Sequence, residues 1–358
     1  MKLENWEQKQ RNFEAFWEKD YYERCNMSIR IENEALKGKR YNDVPLKQRF
    51  MDPDFLANKW KFMADNTQFF ADAIPCYSID FGTAAHATYF GCEPQFGEDT
   101  IWFEPIMKED DIKLLQYTDA GRKVFLEHLD IVKQLVSKAK HDVFIPMTDN
   151  CGIVDALGHL RGNENLLMDM IDNPEFVKES IAKITAVWKE TQVSFFEAVK
   201  AGNLGGTAHS WMQLWCPKRH AQIQCDFSVM ISPDMYEEFV LPELIETSSF
   251  LDYTTYHLDG QEQIRHLDYI LSVDTIDNIQ WTPVAGQPTA ANFIEVFKRI
   301  QKSGKGLILT PPANEVEFIV DNLSHKGLRL NILDVTSEEQ AKYLIEYAKK
   351  ASRNILNK

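Results

Sequence analysis

Two hydrophobic periods alternate along the chain. From Pro174 onward, Phe176, Ile181, Ile184, Val187, Phe195 and Val199 keep helical spacing, which places them on one face of an amphipathic helix. Asp172 or Asn173 can cap its start, Pro174 suits the first helical position and Gly202 can close it. Ser232-Pro233-Asp234 opens another helix, the pattern over 290–302 gives a third that stops before Gly304, and Thr336-Ser-Glu-Glu339 is a capping box for the last. Between such stretches lie short apolar or β-branched runs that end in polar residues: 76–80, 143–149, 203–211, 223–228, 252–260, 277–283, 306–310 and 327–332. Eight strand candidates bounded by helices predict an α/β protein, a parallel (β/α)8 TIM barrel over residues 73–358. Residues 1–72 carry Trp6, Phe13, Phe16, Trp17, Tyr21, Leu56, Trp60, Met63 and Phe70 near helical spacing. They predict an N-terminal helical extension packed on the barrel within one structural domain, with aromatics facing the core or a second subunit.

A barrel of this kind collects its active site at the C-terminal strand ends. Those ends carry Asp80, Asp149, His209, Cys225 with Asp226, His257 with Asp259, Gln280 with Trp281, and Asn331. The stretch Asp252-Tyr-Thr-Thr-Tyr-His-Leu-Asp-Gly260 is the most informative. His257 and Asp259 are two apart in an extended segment, so they share a face at a separation of about 7 Å. Two chemistries are open. In the first, His257, Asp259 and Asp226 ligate zinc or a harder divalent metal, with His209 and Cys225 as further donors. In the second, clustered carboxylates raise one another's pKa, and Asp149 and Asp226 do acid–base work with His257 as proton partner. Trp211, Trp281 and Tyr256 would then wall a flat or methyl-bearing substrate, with Asp80, His209 and Gln280 as polar contacts. A purely structural reading, with the same residues capping strands and filling the mouth, stays open beside both.

Composition narrows the partners. Hydrophobic residues make up 44% and charged residues 26%, the balance of an ordinary soluble globular protein. A net charge of −15 disfavours nucleic acid and anionic membrane. The first ten residues lack the apolar core of a signal peptide, and no apolar run is long enough to span a bilayer. The six cysteines form no Cys-x-x-Cys pair and read as reduced thiols of a cytoplasmic protein. Neither a nucleophile elbow nor a phosphate-binding glycine loop is present, so no nucleotide cofactor is expected. His86, Cys92 and Asp99 fall in a long loop after the first strand candidate, where a lid could lie.

Four passages add a resemblance to a known family. They are Phe90-Gly-Cys-Glu-Pro-Gln-Phe-Gly-Glu-Asp99 with Trp102-Phe-Glu-Pro105; Gly158-His-Leu-Arg-Gly162 with Leu167-Met-Asp-Met-Ile-Asp-Asn-Pro174; Ile231-Ser-Pro-Asp-Met-Tyr-Glu-Glu-Phe-Val-Leu-Pro242; and Tyr256-His-Leu-Asp-Gly260 with Ile279-Gln-Trp-Thr-Pro-Val-Ala-Gly286. Together they resemble the uroporphyrinogen decarboxylase superfamily, which includes corrinoid-dependent methyltransferases of the methylcobamide:coenzyme M type. The resemblance implies a (β/α)8 barrel, a homodimer, and a corrinoid as substrate or carried by a partner protein. The decarboxylases have an arginine-rich N-terminal motif; here that region holds Arg40 and Arg49 and nothing resembling it. The methyltransferases bind zinc through His-x-Cys and a later Cys. His257-Leu258-Asp259 matches the His and puts Asp in place of the first Cys; the later one would fall near 310–313, and no cysteine follows Cys225. The expected function is metal-assisted methyl transfer on a small substrate or corrinoid. Decarboxylation of a uroporphyrinogen-like or other carboxylate substrate is the alternative, and a non-catalytic corrinoid- or tetrapyrrole-binding protein the second.

Overall fold

The computed structural model describes residues 5–39, 41, 43–139, 142–149 and 151–355; Arg40 and Asn150 lie outside them. Its strands are β1 (Asn26–Glu32), β2 (Thr67–Ala71), β3 (Pro94–Phe96), β4 (Ile101–Phe103), β5 (Thr207–His209), β6 (Leu214–Cys216), β7 (His220–Ile223), β8 (Tyr253–Asp259), β9 (Asn278–Thr282), β10 (Gly306–Leu309) and β11 (Leu328–Ile332). Seven of them form one sheet in the order β2-β1-β11-β10-β9-β8-β7. Every pairing in it is parallel except that of β2 with β1. The fold is therefore mixed α/β, built on a largely parallel sheet. β10 and β11 are buried along their whole length, as strands covered on both faces must be. Among the described residues no helix is long and apolar enough to cross a membrane.

The helical pattern is observed where it was strongest. A helix runs Pro174–Val199 with proline at its first position. Another runs Glu338–Ile355, where Ser337 Oγ accepts from Gln340 N at 3.2 Å. The uniformly helical reading of residues 1–72 needs correction. Helices cover Trp6–Trp17, Leu46–Met51 and Pro53–Asp65, but this region also supplies β1 and β2. Met27, Ile29 and Ile31 alternate with Ser28, Arg30 and Glu32, a period of two that the neighbouring aromatics obscured. β1 then pairs with β11, which knits the segment into the sheet. Phe13, Phe16 and Trp17 pack with Phe144, Trp215 and Ile308 inside the chain, and Trp17 Nε1 donates to Trp215 O at 2.9 Å.

Three other expectations change. Residues 76–80 and 143–149 share only the parallel bridge Cys76↔Phe144. Pro75 and Pro146 have no N–H for a ladder, so Phe144 N donates to Pro75 O and Met147 N to Ala208 O as single bonds. β5 makes a short antiparallel hairpin with β6 rather than joining the parallel ladder. The presumed open loop after residue 80 is folded, with a buried 3-10 turn at Ala85–Phe90 and the antiparallel β3–β4 ribbon.

Candidate active site

The parallel ladder sets the site. In β8 the pleat turns Tyr256 and Leu258 to one side and leaves His257 and Asp259 on the other, half-buried. Register places Gln280 of β9 directly opposite His257. Gly260 follows with φ +79, a conformation that glycine adopts without strain, and its N–H donates to Thr282 O at 2.9 Å. The strand therefore turns away immediately past Asp259. β7 ends at Ile223, and a 3-10 turn begins at Asp226. That turn is held from beneath: Asp155 accepts from Asp226 N at 3.0 Å and from Phe227 N at 2.7 Å. Gly152, at the start of the Ile153–Arg161 helix, lets this carboxylate come close, because a Cβ there would sit 1.9 Å from Gln224 O.

These elements bring Asp226, His257 and Asp259 together. One ligand atom from each lies within 4.8 Å of the others. His257 Nδ1 is hydrogen-bonded to Gln280 Oε1. The Gln280 amide nitrogen donates to Trp281 O at 2.9 Å and to Thr282 Oγ1 at 2.7 Å, so the oxygen is the end offered to the imidazole. His257 then donates through Nδ1, which leaves Nε2 as the nitrogen available to a metal. Asp226 Oδ2 accepts from Gln224 at 2.8 Å, while Oδ1 is buried with the Gln263 amide close by and no hydrogen bond of good geometry among the described residues. Burial, then Asp155, then Asp259 push the Asp226 carboxyl up to about 8.

A polar chain runs from this cluster across the mouth. Gln224 Oε1 accepts from Gln222 at 2.8 Å, and Gln222 also donates to Asp149 Oδ1 at 2.6 Å. Trp211 Nε1 reaches Asp149 Oδ2 at 3.1 Å. The Trp211 ring stands edge-on to His257 and to His209, with centroids 5.2 and 4.7 Å apart. Burial raises Asp149 above the usual carboxylate range, with His257 opposing, and lowers His209 to about 3. Asp80 lies to one side, accepting from Gly82 N at 2.8 Å. It lines a cavity of about 610 Å³ shared with Lys39, Arg49 and Lys59.

Not every expected residue faces this space. Tyr256 is fully buried and its hydroxyl accepts from Tyr236 at 3.0 Å. Trp281 is fully buried against Phe293 and Phe297. Each is offset by one from an inward residue, so the pleat turns both into the helical layer and away from any substrate. Cys225 is likewise buried, its thiol pushed well up by burial, and it stands outside the cluster. Asn331 donates to Met212 O at 2.9 Å. Gln222, Gln224 and Asp155 were not anticipated. The first two had a signal, since Gln222-x-Gln224-x-Asp226 is a polar period of two within a buried strand end. Asp155 had none beyond a carboxylate in the first turn of a helix.

A cluster of two carboxylates and one imidazole suits a divalent cation of hard or borderline character. The chain itself supports that fit on two counts: a buried Asp226 oxygen with no hydrogen bond of good geometry among the described residues, and an imidazole whose free nitrogen is fixed by Gln280. A methyltransferase from Methanosarcina mazei is similar in structure, with 13% identity and a TM-score of 0.59 over 96% of this chain and 98% of that one. At that identity the likeness is one of fold. No family model matches the chain, and no curated protein matches it.

Proposed function

We propose that this chain is a metal-assisted methyltransferase whose reaction takes place at the Asp226–His257–Asp259 cluster. One observation carries the reading: three potential ligands converge at the ends of parallel strands, where α/β folds gather their chemistry. The closure of the sheet into a (β/α)8 barrel, with these strand ends at its mouth, belongs to the same proposal, as does membership of the uroporphyrinogen decarboxylase superfamily. The name of the Methanosarcina mazei protein lends support as analogy of fold. A divalent ion, zinc among the candidates, would supply Lewis-acid polarisation of a methyl acceptor or donor group. His257 offers Nε2, Asp226 and Asp259 offer oxygens, and Gln280 holds the imidazole in register. As a ligand Asp226 would be held ionised, so its raised metal-free carboxyl means that metal uptake releases a proton there. Asp149 and Trp211 brace the far side of His257. With oxygen donors in place of thiolates, the site polarises an oxygen- or nitrogen-bound group more readily than it activates a thiol.

A corrinoid, free or carried by a partner protein, is the methyl carrier in this reading, and turnover with methylcobalamin is the test. Metal-loaded protein given an amine as methyl acceptor should convert methylcobalamin to cob(I)alamin, read as loss of the methylcobalamin spectrum, and His257→Ala and Asp259→Ala should each abolish the change. Equal bleaching by both variants would sink the assignment. A saturable spectral shift with no demethylation would mark a corrinoid-binding protein instead.

One observation favours a second reading, decarboxylation of an anionic substrate. Lys39, Arg49 and Lys59 line the cavity beside Asp80. Arg49 is already paired with Glu98 at 2.6 Å, so two lysines would carry the recognition. Release of carbon dioxide from a carboxylated pyrrole, lost in Lys59→Ala, would displace the methyl-transfer reading.

A further inference from the structure

A second cavity, of about 570 Å³, opens directly beside Asp226. Its wall is chemically one-sided. Asp155 and Asp226 lie within it and Glu164 at its rim, with Phe103, Phe227 and Met230 as its apolar surface; among the described residues no lysine or arginine lines it. Phe103 and Phe227 are buried. Gly158, from the Gly158-His-Leu-Arg-Gly162 passage, keeps the helical wall flat, since a Cβ there would press on Asn163 at 2.7 Å and touch Phe227 at 3.6 Å.

Two neighbouring cations are engaged elsewhere: Arg265 donates to the carbonyls of Ser228 and Val229. Arg161, in that passage, gives Nε to Asp169 at 2.7 Å, Nη2 to the same carboxylate at 3.2 Å and Nη1 to Met107 O at 3.0 Å. Its charge is cancelled away from the cavity. His159 also lines the space, and burial lowers its pKa, so it is neutral there. A divalent ion at the neighbouring cluster would offset Asp226 and Asp259 and still leave the Asp155 carboxylate facing the cavity. An anion would meet carboxylates and no basic side chain. A neutral ligand would gain the apolar wall alone. An ammonium group gains both the apolar, aromatic-bearing wall and the carboxylates, of which Asp155 is already held by the N–H groups of Gly152, Asp226 and Phe227.

We infer that this cavity binds the substrate through a methylated ammonium group, so that the methyl-bearing molecule is a small quaternary or tertiary amine. The inference rests on the methyl-transfer reading of the adjoining cluster for its chemistry, and on the cavity alone for its binding. Its volume falls in the range that holds a drug-sized ligand, so the amine can carry a further substituent.

Three molecules of nearly one shape test it by titration calorimetry on the full chain: choline, its neutral carbon isostere 3,3-dimethylbutan-1-ol, and the anion 3,3-dimethylbutanoate. Choline should bind at least about tenfold more tightly than the alcohol, the carboxylate should show no heat, and added salt should narrow the gap. Phe103→Leu keeps the wall apolar but removes one ring, and should cost about tenfold for choline and little for the alcohol. Circular dichroism confirms that the variant is folded, and Phe227→Leu serves if it is not. Equal affinity for choline and the alcohol, binding of the carboxylate, or no binding of any of the three would each overturn the inference. Divalent-metal titration of the same wild-type samples keeps the two ideas apart. Metal uptake without choline preference leaves methyl transfer standing, whereas choline preference without metal uptake leaves an amine site whose chemistry is not methyl transfer at this cluster.

Discussion

Two groups of buried charges sit at opposite ends of one parallel sheet, and they are built on opposite rules. At the N-terminal strand ends, the guanidinium of Arg24 grips Asp72 at 2.7 and 3.2 Å. Asp72 also accepts from Asn12 at 2.6 Å and from Met27 N at 2.9 Å, while Arg329 bonds to Asn26 and to the carbonyls of Met212 and Gln213. Arg24 Nε, Asn12 Oδ1 and Asn26 Nδ2 have no partner among the described residues, but the two charges of Arg24 and Asp72 are opposite and directly paired. At the C-terminal ends, Asp155 and Asp259 both repel Asp226, and one Asp226 oxygen has no hydrogen bond of good geometry among the described residues. A buried charge paired with its opposite fixes the fold; buried like charges store cost that a cation can remove. Burial is common to both, so the sign of the neighbouring charges is what separates the two clusters.

The comparison breaks most visibly at the paired end. Asp72→Asn strands a buried guanidinium and should lower unfolding free energy by about 3–5 kcal/mol in urea melts, with metal uptake by the folded fraction unchanged. A loss below about 1 kcal/mol would show that the lower cluster is not structural. At the other end, Gln280→Leu removes the acceptor that orients His257, and should weaken divalent-metal affinity by about 10- to 100-fold while scarcely moving the melt.

Asp226→Asn is the subtler case, and pH sets its sign. The native carboxyl is raised to about 8, above its unfolded value of about 3.9, so the native state holds a proton that the unfolded chain releases. Metal-free stability therefore falls as pH rises from about 4 to about 8, and the whole deficit is present above that. The Asn variant lacks the deficit. It should exceed the wild type by at least about 1 kcal/mol at pH 8.5 and converge with it near pH 4, and saturating metal should reverse the order. Parallel stability curves for the two proteins would show that Asp226 is not strained.

The strand end at His257 and Asp259 was legible because a period of two reads directly as a shared face. The helices at Pro174 and Glu338 were legible from cap and proline chemistry. Strand β1 was not, because its Met27-Ile29-Ile31 alternation lies among aromatics whose spacing looked helical. The placement of Tyr256 and Trp281 has the same origin as the shared face of His257 and Asp259. Residue type suggested a wall for substrate, and the pleat sent each of them one position out of phase. Asp155 could not have been read at all, since its role depends on Gly152 admitting it to the turn at Asp226 across 71 residues of chain.

The central claim is that Asp226, His257 and Asp259 bind one divalent cation. Equilibrium dialysis of purified wild type and His257→Ala against zinc and manganese, read by elemental analysis, tests it directly. The account predicts one tightly held ion per wild-type chain and none in the variant at the same free metal. Equal uptake by both, or no saturable uptake by either, would contradict it.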